Sequence, residues 1–174
     1  MSKGLPRSLS RGSAQRQEII KETVVVRDAT ITVSATGAAA GFGSAVIGDF
    51  PEGNILFLGA VSYMAFSGSG SDANLVDTWN GDYSVATAPL ADAAIDSDPE
   101  RNVIFTTGIG PAGSEVIGRV RGEKGGVLVF DNTDGSLELN LNLTIDAADI
   151  TDDQSVDITA NGEIFISYVV LGDD

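Results

Sequence analysis

The sequence predicts an all-β protein, a β-sandwich of jelly-roll type carrying an extended N-terminal arm. Three observations lead there. Residues 136–146 alternate strictly, with Leu137, Leu139, Leu141, Leu143 and Ile145 on one side and Glu138, Asn140, Asn142 and Thr144 on the other. Short β-branched runs recur along the chain, separated by Gly, Pro and Asp. No long segment repeats apolar residues with the 3.6-residue period of a helix. Many short strands with turn signals between them indicate a sandwich or jelly roll.

In chain order, residues 1–16 hold too little apolar surface to fold alone and form a basic arm, with Leu5 and Leu9 as its only sizeable apolar side chains. Residues 17–174 form a single domain. From Ile19 to Ala35 the β-branched density predicts one long strand or two, with a break at Arg27-Asp28. Gly37 to Gly48 is a small-residue segment whose Ala38-Ala39-Ala40 is too short for a stable helix. Pro51 to Asn54 makes a turn. Ile55 to Phe66 is the most apolar strand, and Gly59 marks a bulge or bend in it. A Ser- and Gly-rich loop, 67–72, follows.

Asn80-Gly81, between Trp79 and Tyr83, signals a tight hairpin, with both aromatic rings read as packing residues. Further strands are expected at Ala91–Ile95, Val103–Thr107, Glu115–Val120 and Val127–Phe130. The turns between them are expected at Asp98-Pro99, Gly110-Pro111, Gly125-Gly126 and Asp134-Gly135. The strand in 136–146 should bury its leucines and leave its polar side wet. Ile164 to Leu171, apolar on both faces, suits the middle of a sheet or an assembly.

Composition excludes several chemistries. The chain of 174 residues contains no Cys and no His. Disulfide frameworks, Cys-His pairs, Ser-His-Asp triads and the usual zinc sites are therefore ruled out. No apolar run approaches the roughly 20 residues of a membrane-spanning helix, and the polar, basic N-terminus does not read as a secretory signal. Charge is unevenly placed. Residues 1–27 carry Lys3, Arg7, Arg11, Arg16, Lys21 and Arg27 against Glu18 and Glu22, a net +4. The remaining 147 residues, with 4 basic and 23 acidic groups, hold −19. Such a body is repelled by nucleic acid, while the arm is drawn to acidic surfaces, and neither nucleic acid nor a membrane is expected as a partner.

Two constellations imitate functional sites. Gly108-Ile109-Gly110-Pro111-Ala112-Gly113 fits G-x-G-x-x-G, but dinucleotide binding also needs a helix opening at the glycines, and residues 114–122 are rich in strand formers. Asp146, Asp149, Asp152, Asp153 and Asp157 crowd one loop without the spacing of a calcium-binding loop. They are read as solvated. No pair of carboxylates is singled out for acid–base work. The expectation is a protein that is not an enzyme and carries no metal or cofactor.

Four stretches resemble small structural proteins of tailed bacteriophages. They are Thr78-Trp79-Asn80-Gly81-Asp82-Tyr83-Ser84-Val85, Ala91-Asp92-Ala93, the run Leu139 to Ile150, and the terminal Val169-Val170-Leu171-Gly172-Asp173-Asp174. The resemblance covers roughly residues 75–174 and consists of structural residues, without an active site. It implies a virion component made in the host cytoplasm and carried on the head surface as a decoration or cement protein. The implied partners are the major capsid protein and the chain itself, as a homotrimer. Lys3, Leu5, Arg7, Leu9, Arg11 and Arg16 would dock the arm on the capsid, and Phe57, Tyr63, Phe66, Phe165 and Tyr168 would supply a subunit interface. The alternatives are a fibre-like module that grips receptors or glycans, and a tail-tube or connector component.

Overall fold

The computed structural model describes residues 18–68, 73–110 and 116–172. Eight strands carry the fold: β1 (Ile20–Ser34), β2 (Gly41–Asp49), β3 (Asn54–Gly68), β4 (Gly81–Ala86), β5 (Ile104–Ile109), β6 (Val116–Phe130), β7 (Glu138–Ile145) and β8 (Ser155–Gly172). A one-turn 3-10 helix, Asp98–Glu100, is the only helix among the described residues. All pairings are antiparallel, and the strands form one sheet in the order β5-β4-β7-β2-β1-β8-β3-β6. The two ends of that order, β5 and β6, lie against each other, so the sheet is nearly closed into a barrel. Between β1 and β2 only Ser34 and Phe42 are in register, which makes this junction a corner between two four-stranded halves.

The core follows the alternation of the strands. Leu139, Leu141, Leu143 and Ile145 of β7 meet Ile31 and Val33 of β1, Ile55, Phe57, Met64 and Phe66 of β3, and Ile158, Ile164 and Ile166 of β8 in one buried cluster. The break expected at Arg27-Asp28 is a bulge in a single strand, because the β1–β8 register shifts between Val26 and Ala29. Asp28 stands there at φ 48°. Its N–H donates to Asn161 Oδ1 at 2.8 Å, and Asn161 Nδ2 donates back to Asp28 Oδ1 at 3.1 Å, so the bulge is pinned from both sides. Gly59 is the bend expected in β3: it sits at φ 151°, where pairing with both β6 and β8 shifts register.

Several elements differ from the sequence reading. The small-residue segment contributes a strand, β2, because it lies across β7 over most of its length. Gly125-Gly126 is no turn: β6 runs through it as one 15-residue strand, since the equally long β3 offers pairing along its whole length. No strand forms at Ala91–Ile95. Asn80-Gly81 closes no hairpin, because β4 starts there and pairs with β5 and β7. Asn80 instead fastens the loop after β7. It accepts from Asp146 N–H at 3.0 Å, and its backbone and side-chain N–H groups donate to Asp149 Oδ2 at 2.8 and 3.1 Å.

The expected wet side of β7 is also buried. Asn140, Asn142 and Thr144 are 3%, 0% and 7% exposed, because residues 87–103 fold back across this face. Asn142 Nδ2 donates to the carbonyls of Ala88 and Glu100, both at 3.0 Å. Ser84 Oγ donates to the Glu100 carbonyl as well. The Glu100 carboxylate holds the crossing segment together by accepting from Ala91 N–H at 3.1 Å and Ser97 N–H at 3.3 Å. Burial alone pushes the Glu100 carboxyl up, but its hydrogen bonds with Ser97 and Ala91 and the nearby Arg101 charge hold it below its ordinary value.

Candidate functional site

The two halves of the sheet treat their outer faces differently. Residues 87–103 of the same chain cross part of the β5-β4-β7-β2 half, on whose strands Val46 and Phe105 stay 56% and 48% exposed. On the β1-β8-β3-β6 half, Val25, Phe165, Val127 and Val129 remain 49%, 42%, 66% and 61% exposed. Scattered apolar side chains are ordinary on a surface; a band running across neighbouring strands marks an interaction face.

Register gives this band its relief. Ser167 of β8, Gly59 of β3 and Gly125 of β6 stand in one row across three strands. Having almost no side chains, they leave a furrow of about 350 Å³, bounded by Leu58, Val61 and Phe165. The adjacent row, Phe165, Val61 and Glu123, forms a ridge beside it. Phe165 is braced by Tyr63, ring edge to face, at a centroid distance of 6.3 Å and an interplanar angle of 76°. Arg121 and Glu123, next along β6, form an ion pair at 2.6 Å.

The five residues expected at a subunit interface separate into two groups. Tyr63 and Phe165 lie on this outer face. Phe57, Phe66 and Tyr168 are 0%, 0% and 4% exposed and pack inside the chain, with centroid distances of 5.6 Å for Phe57–Phe130, 5.2 Å for Phe66–Tyr83 and 5.9 Å for Phe50–Tyr168. The arm residues Lys3, Leu5, Arg7, Leu9, Arg11 and Arg16 lie outside the described residues. Sequence reasoning did not select Val25, Gly59, Gly125, Val127 or Val129 for this face. The usable signal was the like parity of Val127 and Val129 on a strand whose other side, Leu128 and Phe130, faces the core.

The acidic loop has internal uses. Asp149 accepts from Asn80, Asp153 accepts from Gly37 N–H at 2.7 Å, and Asp157 accepts from Thr32 Oγ1 at 2.7 Å. Burial, helped by the neighbouring Asp146 charge, raises the Asp82 carboxyl above its ordinary value. Among the described residues no three acidic side chains are grouped so as to hold a metal ion. Gly108 and Ile109 belong to β5, and the described chain resumes at Val116 in β6, a strand where pyrophosphate binding requires a helix. Trp79 and Tyr83 are 1% and 0% exposed, so neither ring presents a platform to a ligand. No protein-family model matches the chain, and no curated protein matches it.

Proposed function

We propose that this protein is a non-enzymatic structural component of a virion, a decoration or cement protein on the outer capsid surface that reinforces contacts between capsid subunits. The observation that carries the reading is the group of exposed apolar side chains, Val25, Phe165, Val127 and Val129, on the outer face of β1-β8-β3-β6. A protein that works by adding contacts needs such a face and needs no cleft with converging reactive groups.

The strand order supports the same reading. Its pairs nest as β1 with β8, β2 with β7, β3 with β6 and β4 with β5. One long hairpin wrapped around a barrel generates this nesting, which is the jelly-roll plan found among viral capsid and lectin domains. Fold alone does not determine function. The phage-like stretches supply the viral context, and the strongly acidic body suits an outward position away from packaged nucleic acid. In this reading residues 1–16 dock on the major capsid protein, and the body associates with copies of itself.

The test adds purified protein to capsids that lack a decoration protein and measures the bound fraction by co-sedimentation. Saturable binding of the full chain is expected, with loss of affinity when residues 1–16 are removed. Absence of binding would overturn the decoration reading, and equal binding without residues 1–16 would overturn the role of the arm.

A further inference from the structure

We infer that the outer face of β1-β8-β3-β6 is the contact between copies of this chain, and that the furrow at Ser167, Gly59 and Gly125 receives the Phe165 ridge of the neighbouring copy. This deepens the structural reading above and rests on it for the identity of the assembly as a working unit.

Three properties of the face point to a second copy. The first is area. Strands of 15 to 18 residues, at about 3.3 Å per residue and about 4.8 Å between strands, give the four-stranded face roughly 950 Å². Stable interfaces take about 800 Å² from each partner, so the face is large enough. The second is charge. The whole chain carries −15, yet the described charged residues on the outward rows and the β1 bulge of this face are Lys21, Arg27 and Arg121 against Asp28, Glu123, Asp157 and Glu163, close to balance. A surface this near balance can meet its own copy with far less repulsion than the rest of the body would exert. The third is shape. Furrow and ridge occupy adjacent rows of one surface, so two copies related by a two-fold axis can each offer a ridge to the other's furrow. Residues 1–17 suit this face poorly as a cover, since they hold four basic groups and few apolar side chains.

Gly125 provides a test that leaves the fold intact. A Cβ there would meet no atom within 4 Å, so a larger side chain fills the furrow without disturbing the chain that carries it. A face that meets its own copy is a two-fold contact, so the full-length protein is expected to sediment at micromolar concentration as a dimer, and a trimer would overturn the inference. Gly125→Leu should keep the far-ultraviolet circular dichroism and cooperative melting of the parent while weakening association at least tenfold. Val127→Asp, at a position 66% exposed, should do the same and covers the case in which Gly125→Leu fails to fold.

A monomeric parent would overturn the inference, as would folded variants that associate as tightly as the parent. So would a monomeric parent that begins to associate once residues 1–16 are deleted, because the arm would then be the occupant. Capsid co-sedimentation of the same samples separates this inference from the decoration reading. Self-association without capsid binding contradicts only the latter, and capsid binding by a monomer contradicts only the former.

Discussion

Ser62 Oγ and the Tyr83 hydroxyl lie 3.0 Å apart in the barrel interior and join β3 to β4, strands from opposite halves of the sheet. Both residues are fully buried. Burial raises the Tyr83 phenol above its ordinary value, and hydrogen bonds with Ser62 and Thr107 draw it partly back. Gly122 of β6 is the floor of this contact. A Cβ there would stand 2.6 Å from the Tyr83 hydroxyl, 2.7 Å from Ile104 Cγ2 and 2.9 Å from Ser62 Oγ.

Tyr83→Phe is therefore expected to cost about 1 kcal/mol, the net worth of a buried hydrogen bond. Gly122→Ala should cost roughly 1–3 kcal/mol through overpacking. Because both act on one hydroxyl, the Gly122→Ala penalty should shrink when Tyr83 is already Phe. Urea denaturation of the two single variants and the double variant measures this coupling, and additive costs would contradict the geometry.

The pH dependence at high pH should report on Tyr168. Its hydroxyl donates to Glu22 Oε2 at 2.8 Å. Burial first, then that hydrogen bond and the Glu22 charge, pushes the phenol up to about 12. A raised folded-state value means that the native protein holds this proton more tightly than the unfolded chain does. The resulting stabilisation is complete below the ordinary value of 10.0, falls as pH rises, and is lost above about 12. Stability measured by urea at a series of pH values should decline between pH 10 and 12, and Tyr168→Phe should flatten that decline.

Glu100 should control the segment that crosses β7. Its lowered carboxyl value means stabilisation that is present above the ordinary carboxylate range and lost as pH falls through the folded value. Glu100→Gln keeps the size of the side chain but turns one acceptor into a donor facing an N–H group. Hydrogen exchange at Ala91 and Ser97 is expected to accelerate about tenfold or more, with the core strands β7 and β8 nearly unchanged. Uniform acceleration throughout the chain would contradict a local role.

The reach of the sequence is clearest on β7. Its alternation placed Leu139, Leu141, Leu143 and Ile145 in the core, where they lie. It left Asn140, Asn142 and Thr144 in water, because nothing local says that residues 87–103 return over them. The turn expected at Asp98-Pro99 is present in the covering segment, as the 3-10 turn Asp98–Glu100, because Pro at its start fixes the backbone locally. Gly59 was legible as a bend because a glycine in an apolar strand has few other uses. Gly125 was not, since its meaning comes from standing opposite Gly59 across β3 and β6, and cross-strand register is set by tertiary pairing. The same limit applied to the interface residues: two-sided apolarity identified β3 and β8, but Phe165 faces outward while Phe57, Phe66 and Tyr168 face the core.

If this protein reinforces a capsid from its outer surface, as proposed, decorated capsids should hold their contents to a higher temperature. The most direct measurement is the temperature at which undecorated, DNA-filled capsids release their contents, with and without saturating full-length protein. A rise in that temperature that saturates with the occupancy of capsid sites is expected. An unchanged release temperature at full occupancy would contradict it.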